Sequence, residues 1–337
     1  MAKLKDIAEE TGFSIATISR VLNHDRDFNV TDETRIKVLS AAERLNYITL
    51  NQRHQDSING ELLKKEKKTF TIGLAYWYST ADEINDPYYL AIRLAIEQYC
   101  EINHHELQFF YLGEKSYDDI KQAKLDGLIA LGKYSDDEIK NLHALNKNFV
   151  LVDCYCKHSH IDVVMVDLKE ATKDIIDYLH ETNISSIGFI GGIEGTLDGR
   201  ALEDIRLKTF IRYENADYDT IYLGAFNADS GYEIMTNIIR SGNIQPAYII
   251  ASDAIAIGCL KAMNENNIKI PEDVSLVSYN NITLSQYTIP ALTTVDLNAK
   301  HLGRAAAEVL VERIKTNRQL AKKIFIPTQL VKRESSL

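Results

Sequence analysis

The sequence has 337 residues, is 45% hydrophobic and carries a formal net charge of −10. That length and hydrophobic content allow a sizeable core divided over two or three domains. Residues 1–68 hold twelve Lys and Arg against eleven Asp and Glu, so the charge balance supports nucleic-acid binding only weakly. Four scattered cysteines, no signal peptide and no long apolar run predict a cytoplasmic protein without a membrane span.

The first predicted element is a pair of short helices joined by a tight turn. An apolar stripe at helical spacing begins at Leu4 and ends before Gly12, which can take the positive φ of a sharp turn. Ser14 is the predicted N-cap of the second helix, Ile15–Leu22. Small and hydroxylic residues at the exposed start of this helix are typical of a helix-turn-helix that enters a major groove. The spacing alone is equally typical of an ordinary helical hairpin.

The run S-I-A-T-I-S-R-V-L-N at residues 14–23 resembles the DNA-binding headpiece of the lactose-repressor/galactose-repressor (LacI/GalR) family. The family pattern is V-S-x-x-T-V-S-R-V-x-N, and Phe13 replaces its first Val. The resemblance implies a transcriptional regulator that binds operator DNA through this second helix. Ile15 and Ala16 are expected to read bases, because their apolar side chains can contact a thymine methyl group. The residues expected to position the helix are Ser14, Thr17, Ser19, Arg20 and Asn23.

A third helix is predicted after a polar loop. Thr31 is its predicted N-cap, since acidic residues follow it in the first turn. Thr31 is also counted among the predicted DNA-binding residues. The predicted apolar stripe is Ile36, Leu39, Ala42 and Leu45. Packed on the first two helices, this stripe would complete a headpiece over residues 1–48.

The predicted linker, residues 49–69, departs from the family pattern. The proline and the A-R pair of the family's hinge helix are missing, and the segment is longer. Leu62 and Leu63 are the candidates for a side chain that wedges into the minor groove. The alternative is a polar, flexible tether.

From Phe70 onward, short apolar runs alternate with amphipathic helical segments. The runs are TFTIGLAY, LQFFYLG, DGLIALG, FVLVD, VVMVD, SIGFIGG, TIYLG, AYIIAS, VSLVSYN and LTTVDL. Apolar strands separated by helices predict α/β architecture with two doubly wound parallel-sheet subdomains. The family resemblance implies a periplasmic-binding-protein-like core with discontinuous halves. We expect an N-terminal half of residues 70–162 with 298–323 and a C-terminal half of 163–297 with 324–337.

The carboxyl ends of both sheets predict an effector site between the halves. By resemblance, Arg206 matches the Arg that grips effector hydroxyls or a carboxylate, and Phe226 matches an aromatic beside the pocket. Ser252 and Asp253 fall in a run similar to the family's A-N-D motif, and Asn280 replaces an Asp of its G-Y-D-D motif. Strand-end position adds the candidates Tyr76, Trp77 and Asp153, and the start of the next predicted helix adds Tyr88. For any single aromatic residue, core packing is the alternative.

The chain is most similar in pattern to regulators of galactose and β-galactosidase operons. The expected function is a repressor of a sugar-utilisation operon that a small sugar, galactose or a galactoside, releases from operator DNA. It is expected to act as a homodimer, because no leucine heptad that could form a tetramer follows the tail, and no cofactor is expected. The alternatives are a regulator with a corepressor, such as a purine or a phosphoprotein, and a sugar-binding module without regulation.

Two other kinds of site are considered and not predicted. Cys154, Cys156, His158 and His160 alternate along one segment, but four ligands on one strand would spread too far for a tetrahedral metal site. No nucleophile motif and no phosphate-binding loop occurs, so an enzymatic role is not expected.

Overall fold

The computed structural model describes residues 4–22, 30–45, 69–79, 83, 86–112, 117–214, 216 and 218–337. These residues belong to two compact units, one within Met1–Lys68 and the other within Thr69–Leu337. Asn23, Leu62 and Leu63, with most of the linker, lie outside the described residues. Within the described residues, no helix is long and apolar enough to cross a membrane.

Among its described residues, the first unit has three helices around a small apolar core. They are α1 (Leu4–Thr11), α2 (Ile15–Leu22) and α3 (Asp32–Arg44). The turn between α1 and α2 contains Gly12 at a φ of +74°, as its sequence position predicts. The buried side chains are Ile7, Ile18, Val21, Leu22, Val38, Ala41 and Ala42. These helices have the arrangement predicted for the headpiece.

The predicted apolar stripe of α3 is wrong at two positions. Ile36 and Leu39 are 63% and 39% exposed, whereas Val38 and Ala41 are completely buried. Val38, Ala41 and Ala42 share one helical face because they are separated by three or four residues. Ile36 lies away from that face, although it is as apolar as the residues that are buried.

The described elements at the start of the second unit are five strands and three helices. They are β1 (Thr71–Tyr76), α4 (Pro87–Ile102), β2 (Glu106–Tyr111), α5 (Tyr117–Gln122), β3 (Gly127–Leu131), α6 (Asp136–Leu145), β4 (Phe149–Val152) and β5 (Asp162–Val166). The middle of the unit contains α7 (Leu168–Glu181), β6 (Ile187–Gly192), β7 (Glu194–Gly195), β8 (Ala201–Leu202), α8 (Ile205–Glu214), β9 (Ile221–Gly224), α9 (Ala228–Ser241), β10 (Ala247–Ile250), α10 (Asp253–Glu265), β11 (Ser275–Tyr279) and β12 (Thr293–Asp296). The last elements are α11 (Ala299–Thr316), β13 (Lys323–Ile326) and β14 (Gln329–Val331). Short 3₁₀ turns cover Tyr218–Thr220 and Thr283–Gln286.

The large strands form two six-stranded sheets. The first has the order β13-β5-β4-β3-β1-β2 and the second β14-β12-β11-β10-β6-β9. Every pairing is parallel except that of β14 with β12. Each of the ten predicted apolar runs coincides with one of these strands to within a few residues, and most of the strands are buried along their length. Such burial requires helices on both faces of each sheet.

The chain crosses between the two halves three times. It leaves the first sheet after Val166, returns at α11, which packs on β3, β4 and β5, and leaves again after Ile326. The first and last of these points fall a few residues later than the predicted boundaries. In both sheets the strands next to the crossings lie together at one edge, β13 with β5 and β14 with β12.

Helices α9 and α10 approach each other unusually closely at two glycines. A Cβ on Gly258 would overlap the carbonyl oxygen of Ala228, and one on Gly231 would overlap that of Ile255. The helix backbones are therefore in direct contact, which only glycine permits at these positions.

Candidate functional site

The exposed start of α2 is the first candidate surface. The Ser14 hydroxyl accepts a hydrogen bond from the Thr17 backbone N–H at 3.1 Å, so Ser14 is the N-cap of α2 as its sequence position predicts. Ile15 and Ala16 follow with exposed side chains, Ile15 at 49%. A large exposed aliphatic residue in the first turn leaves an apolar group free to contact DNA.

The remaining predicted DNA-binding residues lie around this turn or outside the described residues. Thr17 and Ser19 are half-buried, and Arg20 is exposed. The hydroxyl of Thr31 accepts from the Thr34 backbone N–H at 3.3 Å and caps α3. Asn23, Leu62 and Leu63 are not among the described residues. Contacts of any of these side chains with DNA stay a prediction.

The second candidate site is a cavity at the carboxyl ends of both sheets. Its lining includes one residue shortly after each of seven strands, β1, β3, β4, β6, β9, β10 and β11. They are Tyr78, Lys133, Asp153, Glu194, Phe226, Ser252 and Asn280. Asp86, Tyr88, Tyr89, Leu168, Arg206 and Leu297 complete it. Because the first half contributes one wall and the second half the other, a ligand bound here would contact both.

Asp153 is the centre of the wall formed by the first half. It follows β4 in the left-handed region, at a φ of +56°, and its carboxylate accepts from the Tyr89 hydroxyl at 2.7 Å and the Tyr88 hydroxyl at 3.2 Å. The Lys133 ammonium donates to it at 2.9 Å. Burial opposes the charge of Lys133, but the carboxylates of Asp153 and Glu194 outweigh burial and raise its pKa.

Arg206 is the centre of the opposite wall. Its guanidinium pairs with Asp204 at 2.8 Å and donates to the carbonyl oxygen of Ala251 at 2.6 Å. It lies between the rings of Phe226 and Tyr279, 5.2 and 5.6 Å from their centroids. Burial opposes its charge, but nearby carboxylates raise its pKa, so Arg206 stays a fixed cation that donates hydrogen bonds.

Two further carboxyl groups of the cavity are shielded from water. Asp86 accepts from the Tyr78 hydroxyl at 2.9 Å and from the Tyr88 backbone N–H at 3.1 Å, so it also caps α4. A carboxylate oxygen of Glu194 lies 3.7 Å from a guanidinium nitrogen of Arg206. Burial raises the pKa of both carboxyls, and the charges of Lys133 and Arg206 oppose this effect at Glu194.

The aromatic side chains of the first half form one connected group. Trp77 stacks on Tyr78 with ring centroids 4.4 Å apart, and Tyr78 meets Tyr89 edge to face at 5.1 Å. Tyr78 and Tyr89 line the cavity, whereas Trp77 lies behind them and Tyr76 is 1% exposed in the core. Of the predicted aromatic positions in this half, only Tyr88 is therefore at the cavity surface.

Asp253 was predicted to bind the effector, but it lies outside the cavity lining. It is completely buried, and its carboxylate accepts from the hydroxyls of Ser278 and Thr294 and, at 2.8 Å, from the Ile282 backbone N–H. Burial raises its pKa to about 6. These bonds fasten the loop after β11, which carries Asn280, so Asp253 supports the cavity from behind.

Six predicted effector residues and several unpredicted ones share the cavity lining. The predicted ones that lie with Tyr88 are Asp153, Arg206, Phe226, Ser252 and Asn280. Lys133 and Glu194 were missed, although each lies just beyond a predicted strand and the strand-end rule could have found them. Asp86 lies just before α4, where no strand pattern indicates it, and Tyr89 follows the predicted Tyr88 at the start of the same helix. Effector binding by these residues stays a prediction.

The stretch from Cys154 to His160 does not resemble a metal centre. Among the described residues, no group of three or more His, Cys, Asp or Glu could hold a metal ion. Cys154 and Cys156 are buried as free thiols, and burial raises their pKa.

Comparisons with known proteins agree for both units. A family model described as bacterial regulatory proteins of the lacI family matches residues 3–49, and one described as a periplasmic binding protein-like domain matches residues 176–336. The HTH-type transcriptional regulator GanR of Bacillus subtilis (strain 168) is 36% identical over 343 residues, 99% of each chain. The HTH-type transcriptional regulator GalR of Lacticaseibacillus casei is 35% identical over 344 residues, 100% of each chain.

A solved structure extends the agreement to the fold. The lac repressor dimer bound to operator and the anti-inducer ONPF has a TM-score of 0.69 at 22% identity, covering 100% of this chain and 99% of that chain. At this identity the likeness shows the fold alone.

The chain belongs to the LacI family of bacterial regulatory proteins. It is a DNA-binding transcriptional regulator with a helix-turn-helix headpiece and a periplasmic-binding-protein-like core, and not an enzyme. The predicted family and fold class are thereby confirmed.

Proposed function

We propose that this regulator represses a sugar-utilisation operon and that galactose or a galactoside releases it from its operator. The observation that carries the proposal is the composition of the cavity, in which aromatic rings and fixed hydrogen-bonding groups face each other. The C–H face of a sugar can stack on rings such as Phe226, while carboxylates accept from its hydroxyls. The names of the relatives GanR and GalR support galactose-type sugars in particular.

The charges of the cavity favour a neutral ligand. Asp86, Asp153 and Glu194 line it against two cations, Lys133 and Arg206. Lys133 already pairs with Asp153, and Arg206 pairs with Asp204. An anionic effector such as a phosphorylated compound would have to displace these carboxylates and would face the others at short range. A polyhydroxyl ligand can instead accept from the cations and donate to the carboxylates.

The headpiece supports sequence-specific binding to operator DNA. The apolar side chains of Ile15 and Ala16 are exposed at the start of α2, where they are able to contact thymine methyl groups. Binding as a homodimer would present two such helices to a pseudo-palindromic site. For a hundredfold loss of operator binding, the sugar must prefer the released conformation by roughly 2.7 kcal/mol.

The test is operator binding by fluorescence anisotropy at stated salt, on DNA upstream of the protein's own gene and its neighbours. Galactose, lactose, allolactose, glucose and ribose are added in turn. We expect a galactose-type sugar to release the DNA. Tight DNA binding that no sugar changes would refute the effector, and operator affinity that rises with a ligand would indicate a corepressor. Removal of residues 1–68 should abolish DNA binding and leave sugar affinity intact.

Variants separate the two surfaces. Phe226→Ala should weaken sugar binding about five- to twelvefold, because one stacking ring is worth about 1–1.5 kcal/mol, and leave operator affinity without sugar unchanged. Sugar binding can be followed by the fluorescence of Trp77, the only tryptophan, which stacks on the cavity residue Tyr78. Tyr218→Ala is the matched control, since Tyr218 is 79% exposed. Arg20→Ala should weaken operator binding without changing sugar affinity.

A further inference from the structure

A small hairpin beside the cavity connects the two halves of the core. Strands β7 and β8 pair antiparallel, and the residues between them, 196–200, form a tight turn. The turn is rigid, because the Thr196 backbone N–H donates to the carbonyl oxygen of Arg200 at 2.9 Å and the Arg200 N–H donates back to the Thr196 hydroxyl at 3.1 Å. Gly199 takes a φ of +79° at its tip. We refer to residues 194–202 as the cleft hairpin.

The cleft hairpin contacts the first turn of α6, which belongs to the other half. The Ser135 hydroxyl donates to the Asp198 carboxylate at 2.8 Å, and the Asp198 backbone N–H donates to the Glu138 carboxylate at 2.9 Å. The Arg200 guanidinium donates to Asp137 at 2.9 Å. Three hydrogen bonds therefore cross between the halves at this point. Two of them have a carboxylate as acceptor and a neutral donor, and the third is an ion pair.

These contacts use groups that already form the helix cap. Ser135 and Glu138 are the two members of a capping box, each bonded to the backbone N–H of the other. Ser135 uses its remaining donor and Glu138 its second carboxylate oxygen for Asp198. The carboxylate of Asp198 also lies at the positive end of the α6 dipole. The surface that receives the hairpin is thus fixed before the halves meet.

The contact with α6 is continuous with the cavity. On one side, Lys133 lines the cavity and Ser135, two residues further, meets the hairpin. On the other side, Glu194 lines the cavity and Asp198 lies at the tip of the same hairpin. A ligand held between Lys133 and Glu194 therefore draws together the two loops that carry the crossing hydrogen bonds, and these bonds in turn hold both residues against the ligand.

We propose that the cleft hairpin is a latch, in which Asp198 and Arg200 are positioning residues that hold Glu194 against the effector and keep the two halves closed around it. The proposal rests on the proposed function, since the effector is taken to be a sugar. Neither Asp198 nor Arg200 lines the cavity, so their effect on the ligand is exerted through Glu194 and the position of the halves.

The test measures how fast sugar leaves the full-length protein, by stopped-flow fluorescence of Trp77 with galactose. Asp198→Ala and Arg200→Ala should each speed dissociation about three- to tenfold, because partly exposed charge-assisted contacts have modest strength. Operator affinity without sugar should not change. Glu203→Ala is the control, because it removes an exposed ion pair with Lys208 that lies within one half. Unchanged dissociation in both latch variants would overturn the proposal.

Charge reversal distinguishes positioning from a general loss of structure. Asp137→Arg and Arg200→Asp should each speed dissociation, and the double variant should restore the slower rate. A merely structural role of either residue would not be rescued in this way. Failure of rescue, with both single variants folded and fast, would mean that the ion pair does not contribute to the latch.

A second measurement does not depend on the effector. In hydrogen exchange without ligand, Asp198→Ala should speed exchange in residues 132–138 of the other half as well as in the hairpin, because both lose their mutual contacts. Faster exchange in the hairpin alone would overturn the latch. If no sugar binds the wild-type protein, the proposed effector fails, while this comparison still decides whether the hairpin holds the halves together.

Discussion

Asp253 should make the core less stable as pH rises toward neutrality. Burial raises its pKa to about 6, whereas the pKa of an Asp in the unfolded chain is about 3.9. Because the folded state binds the proton more tightly, its stabilising contribution is present below about pH 4 and is lost as pH rises through about 6. Two pKa units at 1.36 kcal/mol each correspond to about 3 kcal/mol.

The variant Asp253→Asn removes this titration and keeps the side-chain shape. The amide oxygen can accept from the Ile282 N–H, and the amide N–H₂ can donate to the hydroxyls of Ser278 and Thr294, which are able to turn and accept. We therefore expect Asp253→Asn to be at least as stable as the wild type at pH 7.5. Asp253→Ala should instead lose about 2–4 kcal/mol, because the buried N–H and hydroxyls are left without their partner.

The assay is urea denaturation from pH 4 to pH 8, followed by the fluorescence of Trp77, which lies in the core unit and is the only tryptophan. The wild type should lose about 3 kcal/mol more than Asp253→Asn over this range. The exposed carboxylate variant Asp229→Asn serves as a control and should keep the wild-type pH dependence. If Asp253→Asn also shows the wild-type pH dependence of the free energy of unfolding, the assignment of the buried charge to Asp253 is refuted.

Three further variants test the packing of the two units. Arg206→Ala should lower the free energy of unfolding by about 3–5 kcal/mol, since Asp204 loses its buried partner, and Asp204→Ala added to it should restore part of the loss. Gly258→Ala should cost about 1–3 kcal/mol in denaturant melts, because the new methyl group meets the Ala228 carbonyl; a neutral effect would contradict the close helix contact. Ser14→Ala should destabilise the headpiece by about 1 kcal/mol by circular dichroism, and Ser14→Asn, which can also cap, should not.

The strands of the core were predictable because each is a buried apolar run. A parallel sheet covered on both faces needs such strands, and the ten runs between residues 69 and 297 each coincide with one to within a few residues. Strand β13 was missed for the converse reason, because its side chains alternate between exposed and half-buried at the sheet edge. Edge strands do not produce a continuous apolar pattern, so the sequence offers little signal for them.

The site was predictable in outline and not in its contacts. Strand-end position indicated Asp153 and the family motif indicated Asn280, and both line the cavity, since parallel strands end at the same edge. The family motif that contains Asp253 gave no information about which way its side chain turns. Whether a carboxylate faces a cavity or caps a loop depends on hydrogen bonds to Ser278 and Thr294, which are distant in sequence. The sequence does not show that these residues lie next to Asp253 in the folded protein.

The three chain crossings lie together at one edge of the sheets. The cleft hairpin therefore lies far from the axis about which the two halves can rotate. Ser135 follows a strand three positions from that edge and Asp198 follows one four positions away. With strands about 4.8 Å apart, these two strands lie about 14–19 Å from the edge with the crossings. A rotation of about 5° around the crossings would separate these side chains by about 1.2–1.7 Å, enough to break their hydrogen bond. The same rotation would hardly strain the crossing segments, so the protein can convert a small angular change into the gain or loss of a whole set of contacts.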